Sequence, residues 1–498
     1  MICIKTATTA YFVSTGLNTL WQFAWIAPIP ILVLAFKSSA RLSAASAFSA
    51  YLLGSLNMVS YLATVVPFGV VIVVLMVPAL FFALSVLLAR FAVRRIPPWA
   101  GIWAFPAAWT SYEYLLSTVS PHKTFGSLAY SQTDCLPLIQ IASATGIWGI
   151  TFVLTLVSSG IAVFWHYRRQ KTRAFASLAI ALSLGVLTLV YGWSQLREPE
   201  LHPRLRVGLA ATDATVRYFQ TEKREEALPV VEAYAHRIGE LAGRGARVVV
   251  LPEKFVGVTP GYVDDVYRVL GDAARASNMM VVAGLNRVGV PVLRNTAVVF
   301  SPEGRVLLDY DKAYPVPGIE VGYEVGTRPG VIPAFQPPAG VAICKDMDFP
   351  NWTRRYARAG VGILFVPAWD FVRDARLHSR MAVLRGVEGG FSMIRAAQKG
   401  LLTVSDSHGR ILAEGTSARI PDALLIADVA PGSGHTFYGR YGGWFGWIGI
   451  LLLFAVSVLS VAQRGPNKQQ IRARPIVNLH SCRNATIGST FVARRAGM

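Results

Sequence analysis

Three residues of this chain have the types, order and setting for covalent acyl chemistry. Cys344 stands in V-A-I-C-K-D-M-D-F-P (341–350), where an apolar strand run ends on a thiol and Pro350 opens a helix that closes before Gly360. Glu253 stands in V-V-V-L-P-E-K-F at the end of a second strand run, and Lys312 in L-L-D-Y-D-K-A-Y just after a third. A thiol with a pKa near about 8.5 is little ionised at neutral pH, so a carboxylate must take its proton as attack proceeds. The tetrahedral intermediate then carries an oxyanion, which needs a fixed cation or backbone donors. Glu253 fits the base and Lys312 the cation. Alone, each charge is as easily a solvated surface group and Cys344 an inert buried thiol. Placement of all three at strand ends joins them, because an α/β sheet gathers its reactive groups there.

The elements that position them alternate between strand and helix from about 205 to 430. Strands are expected at 207–211, 247–251, 279–285, 362–369 and 391–397, and helices at about 220–243, 262–277, 350–359 and 375–389. N-T-A-V-V-F-S-P-E-G-R-V-L-L-D-Y (295–310) is a hairpin turning at Pro302 to Gly304. Repeated β-α units with hairpins indicate a two-layer or sandwiched α/β fold.

The rest of the chain is too apolar for a soluble domain: 53% of the 498 residues are hydrophobic. Uncharged runs at 46–65, 68–89, 98–118, 146–166, 174–193 and 443–463 each approach the ~20 residues that cross hydrocarbon. A further run, 7–36, holds Pro28 and Pro30, which favour a break into two helices and a total of eight spans. The only acidic residue in the long spans is Glu113, expected at the outer interface of its span, and intramembrane charge too sparse for a translocation path argues against a transporter.

Net charge is +20, but residues 195–440 carry 30 basic against 26 acidic side chains, leaving 18 against 2 for the remainder. The excess falls in alternate loops, at Lys37 and Arg41, at Arg90, Arg94 and Arg95, at Arg168, Arg169, Lys171 and Arg173, and in the tail from Arg464 to Arg495. The positive-inside rule makes these cytoplasmic and the 195–440 domain external, and a charge so distributed is a topology signal rather than a nucleic-acid surface. Cys3, Cys135, Cys344 and Cys482 show no paired spacing, which excludes a disulfide scaffold or a zinc site, and no metal or cofactor is called for. The opening apolar run lacks a cleavage pattern and is expected to stay as an anchor.

The ordered set L-P-E, Y-D-K and I-C-x-D-x-D-F-P resembles the Glu-Lys-Cys signature of the nitrilase (carbon-nitrogen hydrolase) superfamily. With a multi-span segment before it and one span after it, and with G-S-L-A-Y-S-Q (126–132) and G-I-W-G-I-T-F (146–152), the whole chain resembles the apolipoprotein N-acyltransferase family. The resemblance implies a polytopic α-helical membrane domain (1–194), a periplasmic nitrilase-like α-β-β-α sandwich (195–440), a C-terminal transmembrane helix (441–463) and a basic cytoplasmic tail (464–498), in a bacterial inner membrane. It implies that Cys344 takes an acyl chain from a phospholipid as a thioester and passes it to the N-terminal amine of a diacylglyceryl-cysteine apolipoprotein, in a monomer. Glu320, in V-P-G-I-E, matches a second functional glutamate that orients the lysine and base, and Glu388, in R-G-V-E-G-G, a supporting position. The chain departs from the family pattern after the nucleophile, where Lys345 and Asp346 replace an aromatic residue and Glu, at P-A-W-D-F (367–371), and after the first strand, where Tyr218 and Phe219 stand in place of a tryptophan. An acyltransferase must shield its thioester from water, and 257–262, 317–326 and the segment with Trp369 and Phe371 are the expected lid and substrate contacts. A membrane-anchored amidase using the same Glu-Lys-Cys site, with water resolving the thioester, is the alternative.

Overall fold

The computed structural model describes residues 1–18, 20–289 and 291–463, so the basic tail and Cys482 lie outside the described residues. From Leu205 onward the chain builds two sheets. The first starts with Leu205–Ala211 (β1), Val248–Val250 (β2), Gly257–Val258 (β3), Met280–Arg287 (β4), Arg294–Phe300 (β5) and Val306–Asp311 (β6). The second holds Gly330–Ile332 (β7), Ala339–Val341 (β8), Ile363–Trp369 (β9), Ser392–Gln398 (β10), Leu401–Ser405 (β11) and Ile411–Thr416 (β12), before Ala423–Val429 (β13) returns to the first. Their orders are β13-β1-β2-β4-β5-β6, with β3 beside β4, and β12-β11-β10-β9-β8-β7.

The central strands β1, β2 and β4 pair in parallel, as do β8, β9 and β10. Parallel strands are covered on both faces, which is why they read as unbroken apolar runs. Period-two alternation then sorts the faces. Val207, Leu209, Val248, Val250, Met280 and Val282 meet Val341, Phe365, Met393 and Val404 in one core between the sheets. Ala210, Val249, Val281 and Ala283 turn outward onto helices Arg224–Gly243 and Val263–Ser277. Helices Pro350–Arg358 and Ala375–Gly389 flank the second sheet, completing an α-β-β-α sandwich. The expected strands, helices and hairpin are present with shifts of a residue or two at their ends, except that the helix expected from about 220 begins at Arg224.

Among the described residues, five helices are long and apolar enough to cross a membrane: Ala40–Val65, Phe68–Val93, Ile147–Tyr167, Ala174–Gln195 and Trp444–Ala462. Ile147–Tyr167 is the hub, packed by Pro28–Lys37, Ala104–Val119 and Lys171–Gln195. A methyl group at Gly160 would land on Ala181 Cβ, so glycine lets the hub helix and its neighbour approach closely. Two sequence expectations need correction here. The 7–36 run breaks at Thr15 to Trp21, with Gly16 at φ +66°, whereas Pro28 opens Pro28–Lys37, where its missing N–H costs nothing. The 98–118 run is two helices, Pro98–Gly101 and Ala104–Val119.

Glu113 is buried within the protein and accepts hydrogen bonds from Trp109 Nε1 (3.1 Å), Ser127 Oγ (2.7 Å), Leu128 N (2.8 Å) and Thr151 Oγ1 (2.8 Å). A buried carboxylate with four donors fastens the 126–132 loop to two helices at once.

The basic loops gather at one end of the helical half. Arg90 donates to Ser38 O (Nη2, 3.0 Å), Arg94 to Phe36 O (3.0 Å) and Arg95 to Ser460 O (3.4 Å), while Tyr167 Oη donates to Val93 O (2.6 Å). These are carbonyls at helix C-termini, where cations are favoured. The sandwich sits at the other end, where the Glu388 carboxylate accepts from Ile147 N (2.9 Å), the first residue of the hub helix.

Candidate active site

Glu253, Lys312 and Cys344 lie just past the C-terminal ends of β2, β6 and β8. Lys312 is the centre of the cluster. Its Nζ donates to Glu253 Oε1 (2.7 Å) and to Glu320 Oε2 (2.8 Å), and all three side chains are almost wholly buried. Burial opposes a charged lysine, but the carboxylates of Glu253 and Glu320 outweigh it and hold the ammonium well above the usual lysine range. Burial likewise opposes the Glu320 carboxylate, yet Lys312 and Lys254 keep it well below the usual range. Glu320 also accepts from Val316 N (2.7 Å) and Asn295 Nδ2 (2.7 Å). Asn295 Nδ2 bonds Glu253 Oε1 as well (2.6 Å), so both contacts to the Glu253 carboxylate fall on one oxygen and Oε2 remains for a proton.

Cys344 has φ +41°, a left-handed conformation that is strained for a residue with a side chain. Its thiol donates to Trp369 O (3.4 Å), and burial first, then the Glu253 charge, pushes it well above the usual thiol range against the pull of Lys312. The resting group is therefore a thiol with a carboxylate beside it.

The turn that strains Cys344 is fixed by Asp346. Its carboxylate accepts from Ile343 N (2.9 Å), Tyr310 Oη (2.7 Å), Ala313 N (3.1 Å) and Tyr314 N (2.9 Å), tying the cysteine turn to the segment that follows Lys312. Burial pushes this carboxyl up to about 7. Lys254, also at positive φ (47°), turns back to donate to Glu320 Oε1 (2.6 Å) and lies over the rings of Tyr323 (5.2 Å) and Trp369 (5.8 Å). Gln398 Nε2 holds Glu253 O (2.6 Å). Beneath Trp369, Asp370 makes a two-pronged pair with Arg395 (2.6 and 2.9 Å), both buried.

Trp369 and Phe371 line the cavity that contains the triad, as do Pro317, Ile319 and Glu320. Phe219 packs edge-on against Trp369 (4.9 Å between centroids), so the aromatic residue after β1 does reach the site. In the 317–326 segment Val321 is 76% exposed and Ile319 46%, flanking a buried Glu320. One expectation is not met. Segment 257–262 is no lid: Gly257–Val258 pairs with β4, and Tyr262 is buried with its hydroxyl on Thr221 O and Gly257 O. Glu388, expected in a supporting position, stands outside the triad, where it pairs with Arg385 and accepts from Ile147 N at the start of the hub helix.

The cavity has a volume of about 1080 Å³ and runs from the triad into the helical half, where Val65, Val66, Val70, Val73 and Val77 line it. Asp370, Asp374 and His378 bring one ligand atom each within 4.8 Å of the others. Burial opposes charge on His378, but Asp374 and Asp370 raise it to about 10, which favours an imidazolium between carboxylates.

Comparison with known proteins follows the same division of the chain. The family model "Apolipoprotein N-acyltransferase N-terminal domain" matches residues 8–160, and "Carbon-nitrogen hydrolase" matches 211–434. The chain belongs to the apolipoprotein N-acyltransferase family. A relative named apolipoprotein N-acyltransferase from Geobacter metallireducens is 28% identical over 86% of this chain and 88% of its own. One of the same name from Bradyrhizobium diazoefficiens is 24% identical over 73% of this chain and 74% of its own. An amidase from Nesterenkonia sp. is similar in structure over 50% of this chain and 97% of its own, at 20% identity and a TM-score of 0.40. The family match joins a carbon-nitrogen hydrolase domain to the apolar helices, and the triad found by geometry falls within the second match.

Proposed function

We propose that the protein is a phospholipid-dependent apolipoprotein N-acyltransferase that uses Cys344 as nucleophile, Glu253 as base and Lys312 as oxyanion cation, on the periplasmic face of a bacterial inner membrane. The observation that carries this reading is the continuity of one cavity from the Glu253–Lys312–Cys344 cluster to an apolar lining between membrane helices. The basic helix ends opposite the sandwich support its external placement.

The reaction runs in two halves. Cys344 Sγ attacks the ester carbonyl of the donor while its proton passes to Glu253; Lys312 faces the oxyanion. The carbon–oxygen bond breaks, and the leaving glycerol oxygen takes the proton from Glu253 to depart as lysophospholipid. The acceptor α-amine then attacks the thioester, Glu253 receives its proton, the carbon–sulfur bond breaks, and the thiol is restored as the amide forms. Glu253 and Glu320 hold Lys312 between two negative charges and Lys254 anchors Glu320, so the cation is in place before the oxyanion develops. The aromatic rim of Trp369, Phe219 and Phe371 excludes water from the thioester between halves.

Purified protein incubated with phospholipid vesicles should gain one acyl mass at Cys344 with release of lysophospholipid, and a diacylglyceryl lipopeptide should then discharge it as an amide. Absence of both adduct and lysophospholipid would overturn the reading. Discharge by water as fast as by amine would favour the amidase.

A further inference from the structure

The wall of the cavity beside the nucleophile holds a cluster that the two-step mechanism does not use. Lys345 directly follows Cys344, and its side chain is 7% exposed. Its ammonium donates to Asp348 Oδ2 (2.9 Å) and meets His122 Nδ1 (3.1 Å), which belongs to a loop of the helical half. An ammonium only donates, so Nδ1 is the acceptor and the other ring nitrogen, Nε2, carries the proton. Burial first, then Lys345, lower His122 to about 4, consistent with a neutral ring. Lys123 brings a second ammonium. Its Nζ lies 5.8 Å from the centroid of the Phe349 ring and that of Lys345 lies 6.0 Å from the same centroid. The hydrogen bond of Lys123 is to Thr118 O (2.9 Å), a carbonyl rather than an acid.

Lys345, Lys123, His122 and Asp348 all line the cavity. Two ammonium groups thus lie near one ring, with His122 and Asp348 bonded to the Lys345 ammonium. Lys345 has three N–H groups, of which Asp348 and His122 occupy two. Placing a lysine in a nearly dry wall is costly unless something gains from it. The third N–H of Lys345 and the Lys123 ammonium are suited to a further anion. In a glycerophospholipid the phosphate is only a few bonds from the ester carbonyls, and residues 344 and 345 are adjacent, so a donor with its ester at Cys344 has its phosphate within reach of Lys345.

We propose that Lys345, Lys123 and His122 form a phosphate subsite that holds the donor headgroup while the ester meets Cys344 and the chains lie along Val65, Val70 and Val73. This inference rests on the reading that the site draws acyl chains from phospholipid. It makes Lys345 and Lys123 specificity residues, and it makes a phosphate, rather than acyl chains alone, the feature by which a donor is selected.

The test compares single-turnover acylation of Cys344, followed by intact mass, from dioleoyl phosphatidylglycerol and from headgroup-free dioleoylglycerol in the same inert micelles. The wild type should favour the phospholipid, and Lys345→Met should reduce the ratio of the two rates by about tenfold or more, as expected for loss of one charge-assisted hydrogen bond. Lys345→Arg, which keeps a cation, should restore most of the ratio. Should Lys345→Met fail to fold, Lys123→Met reads the same ratio beside the same ring. Equal rates from the two donors in the wild type, or a ratio unmoved by both methionine variants, would overturn the subsite. Acylation of the wild type by neither donor would overturn the proposed function instead.

Discussion

Cys344 holds its proton at rest, and the carboxylate that must receive it is bonded through one oxygen only. Cys344→Ala should therefore abolish acylation without unfolding the protein, and Cys344→Ser should be nearly as poor, because a hydroxyl is far harder to deprotonate than a thiol. Intact-mass detection of the adduct, with circular dichroism as the folding control, checks both. Glu253→Gln should leave the protein unlabelled by donor lipid. Lys312→Ala should lower the single-turnover rate by about 10²–10³, and Lys312→Arg should also lose much, since a guanidinium cannot fill a compact site between two carboxylates. Glu253, Lys312 and Cys344 were legible in sequence because each follows a recognisable strand, and Glu320 through its match to the family pattern. Lys254, Asn295, Asp346 and Arg395 were not. Their partners at Glu320, Glu253, Tyr314 and Asp370 come from other elements, and only sheet packing brings them together. Lys254 carried one local hint, its place directly after Glu253, but adjacent residues normally diverge, and positive φ is what turns it back.

The segment from Trp369 to His378 does three jobs within one element boundary. Trp369 O accepts a hydrogen bond from the Cys344 thiol, Asp370 pairs with Arg395, and His378 sits between Asp370 and Asp374 with its ring near Tyr61 (6.4 Å) and Phe125 (6.1 Å) of the helical half. His378 is raised from 6.5 to about 10 in the folded protein. A group raised on folding contributes stability that is complete below its unfolded value and is lost as pH rises through its folded value. Between pH 6.5 and about 10 the wild type should thus lose thermal stability relative to His378→Gln, and a melting series across that range in detergent measures the difference. Arg395→Leu leaves Asp370 charged and buried, at a cost of about 3–5 kcal/mol. Joint replacement of Asp370 and Arg395 by leucine should recover much of that loss, read as unfolding midpoint. Strands and helices here were readable from period and caps. The 317–326 segment was readable only as a glycine-rich loop; that Glu320 is buried between two exposed apolar neighbours depends on the pull of Lys312 and Lys254, which no local pattern encodes.

At the scale of the whole molecule, the arginines of alternate loops lie on carbonyls at one end of the helical half and the sandwich is fastened at the other through Glu388 and Ile147. A reporter fused after about residue 200 should be periplasmic, and one fused near 466 cytoplasmic; reversal of the first would remove the site from the face where its acceptor stands. Apolar run lengths foretold the long helices well, because crossing hydrocarbon imposes a length. They misplaced the first break, since prolines that could end a helix can equally begin one.

The cavity that joins the triad to Val70 and Val73 has a kinetic meaning. A donor that enters sideways from the lipid phase is never dissolved in water, so its amount per volume of solution does not set the rate. The governing variable is its mole fraction in the surface. Adding inert detergent at fixed total donor should slow acylation, while enlarging the volume of buffer around the same vesicles should leave it unchanged; the enzyme in effect titrates a two-dimensional solvent.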